Sequence, residues 1–93
     1  MSRFDAAYYE DLRGRVRGVL IAVAGFFPAQ EVGIVDELID ANESGVALEM
    51  LSEMLVEAKA RIEPQVVEQI LRLVRDMGLL PDLAERVRRL EAT

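Results

Sequence analysis

Val35-Asp36-Glu37-Leu38-Ile39-Asp40-Ala41-Asn42-Glu43-Ser44-Gly45-Val46-Ala47-Leu48-Glu49-Met50-Leu51 is the stretch whose reading decides the fold. Val35, Leu38 and Ile39 share one side of a helix that turns 3.6 residues at a time. Asn42-Glu43-Ser44-Gly45 then gathers turn-forming residues, and the same period resumes at Ala47, Leu48 and Leu51. So short a break makes the two helices antiparallel neighbours.

The pattern extends in both directions. The upstream helix of this pair is expected from about Pro28 to Ala41, with Val32 joining the inward face. Pro28 suits a first helical turn because its missing N–H is not needed there and its φ is already helical. The downstream helix is expected from about Ser44 to Ala60, burying Ala47, Leu48, Leu51, Met54, Leu55 and Ala58. Before them, Tyr8, Leu12, Val16, Val19, Val23 and Phe26 share one face of a first helix from about Asp5 to Phe27. After them, Pro64 opens a fourth helix that buries Val66, Val67, Ile70, Leu71, Val74 and Met77 and closes with Gly78 at C′. Pro81 opens a short fifth carrying Leu83, Val87 and Leu90. No stretch alternates as a half-buried strand would, and no linker or repeat interrupts the chain. The reading is all-α: one small domain over residues 1–93, an irregular bundle of about five helices.

Apolar residues make up 52% of the chain and charged residues 30%, enough of each to fold and to stay dissolved. Cys and His are both absent, which removes thiolate and imidazole metal ligands and the most versatile nucleophile and base. Hydrophobic packing alone must hold the fold, and the lack of Cys fits a reducing, cytoplasmic setting. The apolar run from Val19 to Phe27 is far shorter than the roughly 18 to 20 residues a membrane span needs. Asp5, Glu10 and Asp11 argue against reading the N-terminus as a secretory leader.

Net charge is −6, and its placement says more than its sum. Between Glu31 and Glu57 stand Glu31, Asp36, Glu37, Asp40, Glu43, Glu49, Glu53 and Glu57, with no Lys or Arg among them. The flanking segments are almost neutral. At 100° per residue Asp36, Glu37 and Asp40 lie opposite the apolar face of their helix, while Glu49, Glu53 and Glu57 form a stripe at i, i+4, i+8. Like charges at that spacing repel by about 0.2–0.5 kcal/mol per pair. One reading is a surface that meets a basic partner, with attraction speeding encounter; the other is a solvated face that keeps the protein in solution. The candidate partner-binding residues are Asp36, Glu37, Asp40, Glu43, Glu49, Glu53 and Glu57. Val56 and Met50 are candidate apolar anchors beside them, each also readable as a plain boundary position.

Two further features need a reason. Gly14, Gly18, Ala22 and Gly25 line the outer side of the first helix, where close approach of a helix from this chain or a partner would explain them. Arg13, Arg15 and Arg17, and Arg86, Arg88 and Arg89, form the basic clusters; each lies near acids, so pairing with them is expected in place of nucleic-acid binding. No phosphate loop, dinucleotide fingerprint or EF-hand pattern is present. No catalytic, cofactor or metal residue is expected, and the chain reads as a binding protein, not an enzyme.

From Ile39 and Asp40 through Glu43, Gly45, Ala47, Glu49 and Leu51, the chain resembles the MafI-type immunity proteins of bacterial polymorphic toxin systems, which are related in role to contact-dependent inhibition immunity proteins. The stretch from Ile62 through Leu73 to Met77-Gly78-Leu79 is similar in rhythm, so the resemblance covers about Val32 to Leu79. It implies a cytoplasmic immunity protein of bacterial competition that binds and masks a cognate toxin domain, often a nuclease, whose basic active site an acidic helical surface can occupy. Motif residues can also be structural: Gly45 for a tight turn, Ala47 for close packing, Glu43 for a helix-terminal hydrogen bond. The alternative is a non-enzymatic helical adaptor or scaffold that self-associates through the small-residue face of the first helix or binds another protein.

Overall fold

The structure is a computed structural model and describes residues 6–91. The described residues form five helices, α1 (Ala6–Val23), α2 (Ala29–Asp40), α3 (Ser44–Glu57), α4 (Pro64–Met77) and α5 (Pro81–Arg88), with a 3-10 turn at Ala24–Phe26. The all-α reading holds. The expected start of the first helix at Asp5 lies outside the described residues.

Packing follows a ring in which α1 lies against α2, α2 against α3, α3 against α5, α5 against α4 and α4 against α1, while α1 also crosses to α3. The core is the inside of that ring. Val16, Val35, Ile39, Ala47, Leu48, Leu51, Leu55, Ile70 and Val87 are wholly buried. Burying a Leu or Ile side chain contributes about 1.5–3 kcal/mol, so with no disulfide these contacts hold the chain together.

Three helices end in the same way. In each, the last turn is closed by a residue in the left-handed conformation: Asn42 (φ 63) after α2, Lys59 (φ 51) after α3 and Gly78 (φ 68) after α4. The next residue's N–H reaches back to a carbonyl of the last turn: Glu43 to Leu38, Ala60 to Leu55 and Leu79 to Val74. These are Schellman ends, which satisfy carbonyls that the helix leaves free.

Those ends correct the expected boundaries. α3 was expected to reach Ala60 but stops at Glu57, and Ala58, expected inside, is exposed. Ala60 and Ile62 enter the core from beyond the helix instead. The Ile62 N–H donates to the Leu90 carbonyl at 3.0 Å, and an isolated parallel bridge pairs Ile62 with Glu91. At the first helix, Pro28 forces Phe27 into extended backbone (φ −132, ψ 154), so α1 tightens into its 3-10 turn four residues earlier than expected. The change of period rotates Phe26 outward to 47% exposure, and Phe27 packs against the core in its place. Pro28 itself stands at the N-cap of α2, where its carbonyl accepts from Glu31 and Val32. On α4, Leu73 belongs to the fully buried set, while Val66, Leu71 and Met77 only line its edge.

The outer line on α1 also has a definite setting. A Cβ placed on Gly14, Gly18 or Gly25 would meet nothing within 4 Å. Among the described residues no neighbouring helix would be touched by a side chain at these positions, so close packing within the described fold does not require their small size.

Candidate partner-binding surface

The α2–α3 hairpin carries all seven acids expected to bind a partner, but the fold divides them into two groups. Asp36 and Asp40 lie on the flank of α2 that turns toward α1. Arg17 of α1 donates from Nε to Asp36 Oδ1 at 3.1 Å and from Nη2 to Asp40 Oδ1 at 2.6 Å. These bonds, Asp40 first and then Asp36, raise the guanidinium above its ordinary value. Their spacing at i and i+4 is what lets one planar guanidinium reach both carboxylates.

Glu53 is tied in the same manner from the other side. Arg86 of α5 pairs with Glu53, which raises the Arg86 guanidinium, and lies 3.5 Å from Asp82. The expectation that the arginines pair with helix acids or with the acidic middle is met at Arg15, Arg17 and Arg86, the last two reaching the acidic middle. Arg15 turns instead to Asp76 of α4 at 3.0 Å and Asp11 at 3.7 Å. Arg13 donates to an amide, Asn42 Oδ1, at 3.1 Å. Arg88 and Arg89 have no ion pair among the described residues.

The second group is Glu37, Glu43, Glu49 and Glu57. Among the described residues no hydrogen bond or ion pair reaches their side chains; Glu37, Glu43 and Glu57 are exposed and Glu49 is partly buried. Glu31, at the start of α2, is also exposed and unpaired among the described residues. Glu43 stands at the N-cap of α3 but makes no side-chain cap bond, so the helix-terminal hydrogen bond considered for it is absent. Gly45 is helical with no positive φ, and the turn falls on Asn42, which corrects the turn role considered for the glycine. Ala47 is fully buried, in keeping with close packing.

The two candidate anchors are not the exposed hydrophobes of the hairpin. Val56 and Met50 are partly buried and packed on the core, the plain boundary positions of the alternative reading. The exposed ones are Ile34 at 42% and Val46 at 48%. Each has an acid three residues to either side: Glu31 and Glu37 around Ile34, Glu43 and Glu49 around Val46. Residues three apart are neighbours on a helix, so both hydrophobes sit between carboxylates. That spacing was visible in the sequence; which hydrophobes stay outside was not, because it depends on how α2 and α3 lean against each other.

The described residues contain no cluster of acids arranged to hold a metal ion and no helix long and apolar enough to cross a membrane. What fold and surface define is a small all-α bundle presenting an acidic helical hairpin with exposed apolar positions. Comparison with known protein families, curated proteins and solved structures returns no match.

Proposed function

We propose that this chain is a cytoplasmic immunity protein, not an enzyme, that binds and neutralises a cognate toxin domain through the α2–α3 hairpin. The observation that carries the reading is the set of carboxylates at Glu37, Glu43, Glu49 and Glu57, left unpaired among the described residues beside exposed Ile34 and Val46. Charge of one sign steers a basic partner, and apolar groups among the charges supply the area that desolvation makes favourable. A nuclease fits this chemistry, because a row of carboxylates can occupy a site built for phosphates. The resemblance between Ile39 and Leu51 points the same way. Asp36, Asp40 and Glu53 contribute less directly, since Arg17, shared by the first two, and Arg86, shared by Glu53 and Asp82, offset part of their charge.

The test is to express the toxin domain expected, on this reading, to be encoded beside this chain, alone and together with it, and to measure growth and co-purification. Rescue with a stable complex supports immunity; toxicity without rescue or complex refutes it. A self-associating adaptor is the second reading. It is favoured by Ile21, 72% exposed on α1 beside a concavity of about 500 Å³ that it lines with Leu20, Phe27 and Val32. Sensitivity of the oligomeric state to Gly18→Leu separates the two.

A further inference from the structure

We propose that the concavity between the C-terminal ends of α3 and α5 binds the phosphate group of a small organic phosphate. Four cations line it, Lys59, Arg61, Arg86 and Arg89, over an apolar floor of Val56, Ala60 and Leu90, and it holds about 420 Å³. Such convergence is unexpected in a chain of net charge −6. Arg86 is occupied by Glu53 and Asp82. Lys59, Arg61 and Arg89 are exposed, and among the described residues no carboxylate pairs with any of them. The negative ends of α3 and α5 offset about half a charge each, and Glu57, Glu63 and Glu91 flank the concavity in the sequence without lining it, so the lining itself is cationic.

The walls are held in register. The Ile62 N–H bond to the Leu90 carbonyl and the Ile62–Glu91 bridge join the segment carrying Lys59 and Arg61 to the one carrying Arg89. Ala60 and Leu90, at 5% and 6% exposure, give the floor a fixed shape.

Lys59 supplies the second, independent argument. Its φ of 51 is a conformation that side chains other than Asn and Gly rarely adopt, and the equivalent positions after α2 and α4 hold Asn42 and Gly78. Lysine is a poor choice for closing this helix. A residue held at a cost to the backbone points to a use for its side chain, and Lys59 is one of the residues that line the concavity.

The ligand follows from the donor set. Three unpaired cations match more than one negative charge, and a phosphate monoester carries about −1.5 to −2 at neutral pH with three acceptor oxygens. The forked guanidinium groups of Arg61 and Arg89 suit paired phosphate oxygens, and Lys59 acts as a point charge. The floor of Val56 and Leu90 accepts the organic part. A carboxylate has the wrong charge for three cations, and a bare phosphate leaves the floor unused.

The test is an NMR titration of the isotope-labelled full chain with phenyl phosphate, inorganic phosphate and benzoate at constant ionic strength. Saturable shifts confined to the amides of residues 56–62 and 86–91 are expected, tightest for phenyl phosphate. Arg61→Gln and Arg89→Gln should each weaken binding about tenfold. Lys59→Gly separates a ligand role from a structural one: it should raise the melting temperature by about 4–8 °C while weakening phenyl phosphate binding. Shifts spread over every arginine of the chain, benzoate binding as tightly as phenyl phosphate, or a Lys59→Gly protein with unchanged affinity would each overturn the proposal.

Discussion

On the α2–α3 hairpin Glu37, Glu43, Glu49 and Glu57 are left unpaired among the described residues; where α3 and α5 end, Lys59, Arg61 and Arg89 are left unpaired in the same sense. The same helix, α3, carries part of both sets. Between them the fold does make cross-helix pairs, Arg17 with Asp36 and Asp40, and Arg86 with Glu53. Charges of opposite sign are therefore brought together at some positions and kept apart at others within one small ring of helices. The separation holds along the body of the hairpin, whereas at the end of α3 both signs occur together in Glu57, Lys59, Arg61 and Glu63. As proposed above, these two sets meet different partners, one basic and one anionic.

The comparison can be broken at its common support. Leu51 is wholly buried on the face of α3 opposite the acids, so Leu51→Ala should cost about 2–5 kcal/mol. Urea unfolding followed by circular dichroism measures it, and both surfaces should be lost together. A cost below about 1 kcal/mol would mean the α3 face is not the shared scaffold.

The next largest effect sharpens the acidic side. On the proposed reading, reversing Glu37, Glu43, Glu49 and Glu57 to Lys should slow toxin association by about 10- to 1000-fold and reduce its salt dependence. Asp36→Asn with Asp40→Asn should change it far less, because Arg17 already occupies those two. Stopped-flow association at two salt concentrations reads both variants; equal losses would erase the distinction between tied and untied acids. Ile34→Ser with Val46→Ser should act on the dissociation rate instead, as expected of anchors and not of steering charges.

On the basic side, Lys59→Gly should stabilise the chain by about 1 kcal/mol in urea unfolding, since glycine pays no Cβ penalty at that φ. The opposite sign would show the left-handed Lys59 to be free of strain.

The smallest effect concerns an ion pair belonging to neither face. The hydrogen bond from Arg15, and secondarily that from Arg75, holds the Asp76 carboxyl below its ordinary 3.8. A carboxyl lowered by folding contributes stability that is complete above its unfolded value and is lost as pH falls through the folded one. Arg15→Gln should thus be less stable than the parent near neutral pH, with the gap narrowing in acid below 3.8. Unfolding curves at neutral and acid pH test it; a gap constant across that range would place the Arg15 contribution elsewhere.

The helical class, the antiparallel α2–α3 pair and most of the core follow from periods of three and four interrupted by turn formers and prolines, all of them local signals. Pro64, Gly78 and Pro81 mark their helix ends because each acts through its own backbone. The acidic block from Glu31 to Glu57 is equally a property of the sequence. What only the tertiary structure decided is which of those charges remain unpaired. Arg17 reaches α2 and Arg86 reaches α3 from helices distant along the chain, and no spacing within α2 or α3 encodes their arrival. Likewise Phe26 turns out and Phe27 in because Pro28 changes the helical period, and Lys59 and Arg89 share a concavity because the Ile62–Leu90 hydrogen bond draws two chain segments together. Periodicity fixes which side of a helix a residue takes; only packing between helices fixes what it meets there.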